Sequence, residues 1–231
     1  MRKTRDKPRL SLYEVFIGVS GMVREMTTSI LRTIKENLSL SRLLILGFTV
    51  SYTIAAGLYF ASIGNAEFLG YIAVIIFLLV LGGCVLTHQC VPSWLLMMLS
   101  LVGLFHLLGA AVPVNGDILY NYVPFPIENP SGLTFIKFDQ IVHTYGTMVS
   151  ALLMYYFLRR DTSFHWLGIA VFSILGASGI GALNEIIEFV AKMTVPNTDV
   201  GGYYNTAVDL CVNLFGAILG TLAGFMFWKR A

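Results

Sequence analysis

Residues 165–190 read HWLGIAVFSILGASGIGALNEIIEFV, an apolar run that carries no charge until Glu185. The run is long enough to cross a bilayer as a helix, which needs about 20 apolar residues. It ends with two carboxylates, Glu185 and Glu188, one helical turn apart. A charge at membrane depth is costly and calls for a partner, a proton or a cation.

The composition extends this reading to the whole chain. Its 231 residues are 56% hydrophobic and only 12% charged. A soluble domain of this size needs more charge to cover its surface, so the fold class is an all-α integral membrane protein. Apolar runs of spanning length occur at about 43–63, 68–88, 92–112, 137–158, 165–190 and 205–228, giving six expected transmembrane helices. Gly64-Asn65-Ala66-Glu67 reads as a tight turn, and Pro92 as part of the first turn of a helix. Arg159-Arg160-Asp161 closes the fourth span, and Pro196-Asn197-Thr198-Asp199 marks a loop.

The basic residues are distributed asymmetrically. Nine of the fifteen Lys and Arg precede the first span, Arg159 and Arg160 follow the fourth, and Lys229 and Arg230 follow the sixth. With six spans these share one side, which places both termini in the cytoplasm of a cell whose plasma (inner) membrane holds the chain. Lys137 and Lys192 fall on the outer side. The basic first forty residues lack a compact apolar core, so no cleavable signal peptide is expected.

The expected organisation is a cytoplasmic basic segment over 1–42, followed by the six-span domain over 43–231. Within the first, Leu12, Phe16, Val19, Val23, Met26, Ile30, Ile34 and Leu38 recur every three or four residues. That stripe predicts an amphipathic interfacial helix, serving as an anchor or a partner-binding element. The 113–136 connection, with YNYVPFPIENP, reads as a lid on the membrane surface or a plain structural loop. Cys84, Cys90 and Cys211 have no metal-ligand spacing and read as small packing residues, with no disulfide expected. His88 and His165 fall at the cytoplasmic span ends and read as interfacial.

Counting about 1.5 Å per residue from the outer boundary places the polar residues in one layer. His106 lies roughly 9 Å deep on the third span, with Asp139 roughly 3 Å and His143 roughly 9 Å deep on the fourth. Glu188 is roughly 3 Å deep, Glu185 and Asn184 roughly 8 to 9 Å. On the sixth span Asp209 is roughly 6 Å and Asn213 roughly 12 Å deep. Asp139 and His143 are four apart and share a helix face, as do Glu185 and Glu188. Asn205, Asp209 and Asn213 continue into Gly216, Gly220 and Gly224, a small-residue seam that turns this stripe into the bundle.

Four carboxylates in one partly dry layer repel unless some are protonated or a cation neutralises them. One solution is a divalent metal, zinc or manganese, held by His106, Asp139, His143 and Asp209, with Glu185 or Glu188 as general base. Asn184 and Asn213 would support these groups by hydrogen bonds. An outward-facing pocket of this kind suits a metal-dependent hydrolase acting on an envelope lipid or lipid-linked substrate. The alternatives are a non-enzymatic lipid or small-molecule binding protein, a proton-coupled transporter, or a purely structural polar cluster. The inner halves of the spans carry few polar residues, which favours a pocket over a channel. Membrane lipids are the expected partners, and no nucleic acid.

His106-Leu-Leu-Gly109, Asp139-x-x-x-His143, Glu185-x-x-Glu188 and Asp209-x-x-x-Asn213-x-x-Gly216, in that order, resemble the YjdF-like uncharacterised bacterial membrane proteins. The last three elements are more distantly similar to the VanZ-like family, one of whose members is linked to glycopeptide-antibiotic resistance. The resemblance covers about residues 100–224 and supports the same choice of residues. VanZ-like proteins tend to have Gln where this chain has Glu188, and an Arg in the loop before the last helix, whereas 193–204 contains none.

Overall fold

A computed structural model describes residues 39–86, 91–124, 126, 136–195, 198 and 201–228, with isolated positions 21 and 28. The amphipathic segment expected before residue 39, His88, Cys90 and the Ile127–Asn129 part of the long connection lie outside the described residues. Each of the six apolar runs forms a helix: α1 (Leu40–Ser62), α2 (Ala66–Leu86), α3 (Ser93–Ala111), α4 (Phe138–Asp161), α5 (Trp166–Thr194) and α6 (Tyr203–Phe227). Among the described residues, α1, α3, α4, α5 and α6 are long and apolar enough to cross a membrane, and α2 contributes the apolar stretch Ala66–Phe77.

Local chemistry sets the helix ends. Gly64 takes a left-handed backbone (φ 66°), turning the chain between α1 and α2. Asn65 Oδ1 then accepts from the Phe68 N–H at 3.2 Å, capping α2. Pro92 lies one residue earlier than the first helical turn: it is the N-cap of α3, and its carbonyl accepts from the N–H groups of Leu95 and Leu96. At the start of α4 the Gln140 side chain reaches back to accept from the Lys137 N–H at 2.6 Å. His165 does more than sit at an interface, because its Nδ1 accepts from the Leu167 N–H and caps α5. After α3 the chain makes a small hairpin, β1 (Pro113–Val114) against β2 (Asp117–Ile118). Asn115 and Gly116 both have positive φ there, as a two-residue Asn-Gly turn requires.

The tightest packing joins α4, α5 and α6. Ala151, Ala177 and Ala217, one from each helix, are fully buried together. Along α6, the glycine seam presses directly on α4. A Cβ on Gly216 would stand 2.2 Å from the Thr144 carbonyl oxygen, and one on Gly220 2.1 Å from that of Met148. A Cβ on Gly224 would meet the Tyr155 ring at 2.7 Å. Close approach of this kind supplies the dispersion contacts that hold helices together in lipid, where the hydrophobic effect gives little.

The remaining helices join through polar and apolar contacts. Thr49 of α1 and Ser100 of α3 share a hydrogen bond of 2.6 Å, and Tyr52 donates to the Ser100 carbonyl. On the α4 side, Leu95 packs with Val149 and Leu152, and Tyr145 donates to the Met98 carbonyl. Large apolar side chains such as Leu58, Leu175, Phe189 and Phe215 point outward, as a lipid-facing surface demands. Cys211 belongs to that outward set: it is an exposed free thiol, not the interior packing residue its apolar setting suggested.

Gly220→Ala is expected to destabilise the bundle by about 3 kcal/mol, the upper part of the overpacking range, because the obstacle is backbone. Gly47→Ala, where nothing lies within 4 Å of the added Cβ, should be neutral or mildly stabilising. Thermal unfolding in detergent compares the two, and equal midpoints would refute the seam's role.

Candidate functional site

The site forms where α4, α5 and α6 meet near the 112–137 and 195–202 connections. Helices α5 and α6 run antiparallel, with Ala177 beside Ala217 and Gly181 beside Asn213. One further helical turn brings Glu185 level with Asp209. Gly181 is required by this register, because a Cβ there would stand 2.7 Å from the Asn213 amide carbon. Asp209 and Asn213 are consequently buried almost completely.

Helix α4 inserts His143 between these carboxylates. Its Nδ1 lies 3.3 Å from Glu185 Oε1, and its Nε2 lies 3.5 Å from Asp139 Oδ1 and 3.6 Å from Glu188 Oε1. The His143 and Glu185 side chains are only 3% and 5% exposed. These separations exceed ordinary hydrogen-bond lengths. Two donors about 2.1 Å from a shared ion at a tetrahedral angle would stand about 3.4 Å apart.

Around this centre the polar partners are unevenly distributed. Asn184 donates to Glu188 Oε1 at 2.7 Å. The Asn205 amide nitrogen donates both to Asp139 Oδ2, at 3.3 Å, and to Asp209 Oδ2, tying α6 to α4 through two carboxylates. Among the described residues, both oxygens of Glu185, Oδ1 of Asp209, Nε2 of His143 and both amide atoms of Asn213 are buried without a hydrogen-bond partner. Buried polar groups left in that condition carry a desolvation cost that a cation, a proton or a water would relieve.

Two overlapping groups can hold a metal ion: Asp139, His143 and Asp209, and His143, Glu185 and Glu188. In each, one ligand atom per residue lies within 4.8 Å of the others, and His143 is common to both. The orphaned oxygens belong to these same residues, so the donor set fits a divalent cation.

His106 takes a different place. Among the described residues it joins neither group. Its ring meets the rings of Tyr71 and Tyr120 edge-on, with centroids 5.8 and 5.7 Å away. Tyr120, from the turn after the hairpin, donates its hydroxyl to the His106 carbonyl at 2.7 Å and stacks on Phe68. Burial, with Asp139 and Glu188 nearby, pushes the Tyr120 phenol well above its ordinary range, so it remains a donor. Gly109 makes room for this ring: a Cβ there would stand 2.6 Å from it. The His106-to-Gly109 motif thus docks the connection onto α3.

Above the His143 centre lies a cavity of about 60 Å³, lined by Glu67, Tyr71, His106, Tyr120, Lys137, Asp139, Glu188 and Asn205 among others. Lys137, an outer-side cation in the sequence, lies on this lining, whereas Glu67, Tyr71 and Tyr120 carry no site role in the sequence reading. Glu67 and Tyr71 are four apart at the start of α2, a spacing that puts both on one helix face. Tyr120 stands at the head of the aromatic, Pro-rich connection.

The arrangement defines a polytopic α-helical membrane protein with a buried histidine–carboxylate centre near one end of its bundle. The chain belongs to the family described as "predicted membrane protein (DUF2238)", which matches residues 41–230. Comparison with curated proteins and with solved structures finds no match.

Gly109→Ala is expected to lower the thermal midpoint by displacing the Tyr120 ring. With Tyr120→Ala already present the same change should cost little, a coupling that a double-mutant cycle measures. Additive effects would show that the glycine serves something other than the ring.

Proposed function

We propose that the His143 centre binds one divalent cation, zinc or manganese, and that the chain acts as a metal-dependent hydrolase on an envelope lipid or lipid-linked substrate. The observation that carries this reading is the set of buried atoms on His143, Glu185 and Asp209 that make no hydrogen bond among the described residues. Three helices bring these groups together at considerable desolvation cost, and a cation offsets it. His143 would hold the ion with carboxylates from one of the two overlapping groups. A bound ion of this kind supplies Lewis-acid polarisation and an acidified water. With Asp139, His143 and Asp209 as the ligands, Glu185 or Glu188 would be left to accept a proton.

The cavity above the centre admits a polar head group, and Lys137 on its lining suits a phosphate or another anion. His106 and Tyr120 act as positioning residues for this chamber. The Lys and Arg asymmetry supports an orientation with both termini in the cytoplasm and the site facing outward across the plasma membrane.

A metal-free reading, in which the groups share protons in a binding or transport protein, also has an observation behind it. Both ring nitrogens of His143 face carboxylates, an arrangement that suits an imidazolium.

Elemental analysis of the purified protein is expected to find close to one zinc or manganese per chain. His143→Ala combined with Glu185→Gln should abolish it, and acidification should release it as the ligands protonate. A folded wild-type protein that takes up no metal from excess zinc or manganese would overturn the metal reading and leave the proton-sharing one.

A further inference from the structure

Helices α3 and α5 both pack on α4, and between them lies a second cavity of about 90 Å³. Its floor on α4 includes Val142, Gly146 and Ser150, and one rim is Ile180 of α5. Ile180 is 46% exposed, and Leu183 and Ile187 beside it on α5 are also exposed, so this rim belongs to the lipid-facing surface. Gly146 keeps the floor low. A Cβ there would already touch Val102 of α3 at 3.4 Å, and a longer side chain would occupy the cleft.

The inner end of the cleft is different in character. It reaches His143 and Asn184, and His106 lines both this cleft and the polar cavity above. A mainly apolar, laterally placed slot therefore meets a polar chamber at the His143 centre. That division of chemistry matches an amphiphile: a hydrocarbon chain against the apolar walls and a polar linkage at the histidine.

We infer that the cleft between α3 and α5 is the chain-binding slot for a membrane lipid, which enters sideways from the bilayer and presents its head-group linkage to the His143 centre. The inference rests on the lipid-directed reading of the site, and it commits the occupant to one acyl or isoprenoid chain. Ser150 bonds its own helix, its hydroxyl donating to the Gly146 carbonyl at 2.9 Å, so the floor offers the chain little polar competition. Selectivity would then be set partly by chain length and branching, through the small residues on α4.

The test uses the full chain in vesicles of phosphatidylethanolamine and phosphatidylglycerol. These also contain a phosphatidylcholine analogue with a photoactivatable diazirine in one acyl chain. After illumination, peptide mapping should show labelling around Gly146, Ser150 and Ile180 several-fold above that at Leu175 and Phe215, which are more exposed than any of the three. Ile180→Trp, at an exposed rim position, and Ser150→Phe, on the floor, should each cut the cleft labelling several-fold while metal content stays unchanged. Uniform labelling over the lipid face, or cleft labelling unaffected by either variant, would overturn the inference. Selective labelling in a protein that binds no metal would uphold the slot and defeat the metal reading, so the two claims fail separately.

Discussion

The cost of placing carboxylates against an imidazole inside an apolar helix bundle governs this structure. Asp209 and Glu185 lie almost wholly out of contact with solvent, on helices that touch along their length. Such groups persist in an apolar medium only where something compensates them. Asn205 compensates in part, by donating to Asp139 and Asp209 together. His143 contributes the rest of the visible balance, standing between carboxylates of α4 and α5. The remaining unpartnered oxygens are what a cation would meet.

The surrounding packing follows from keeping those groups in register. The glycines of α6 let it lie directly on α4, which holds Asp209 and Asn213 beside His143 instead of in lipid. Gly181 allows α5 the same closeness from the other side. At the end of the bundle, Gly109 and Tyr120 fasten the connection over α3, and Phe68, Tyr71 and Tyr120 form an aromatic wall beside the polar cavity. Close helix contact at these glycines thus fixes the register of the polar residues.

Much of the fold was legible in the sequence, because each helix is an apolar run with recognisable ends. The membrane-embedded class needed only the scarcity of charge. Depth could be counted too: Asp139, His143, Glu185 and Asp209 fall in one layer by helical rise alone. What depth does not supply is direction around the helix axis. His106 shares the layer yet turns toward Tyr71 and Tyr120, because the residue that fixes its surroundings lies fourteen positions away beyond a hairpin. The double donation by Asn205 was hidden for a similar reason: its stripe was visible, but its partner on α4 is a tertiary contact. Cys211 shows the same limit, since an apolar segment has an exposed face as well as a buried one. Pro92, shifted by one residue, shows how a cap and a first turn share the same local signal.

X-ray absorption at the zinc edge of the zinc-loaded protein reports whether His143 and its neighbouring carboxylates hold the ion. A zinc ion at the His143 centre should show a first shell with one imidazole nitrogen and carboxylate oxygens at about 2.0–2.2 Å, in four- or five-fold coordination. In the His143→Ala variant the imidazole scattering should vanish. A shell of water oxygens alone, or an imidazole signal that survives the loss of His143, would contradict it.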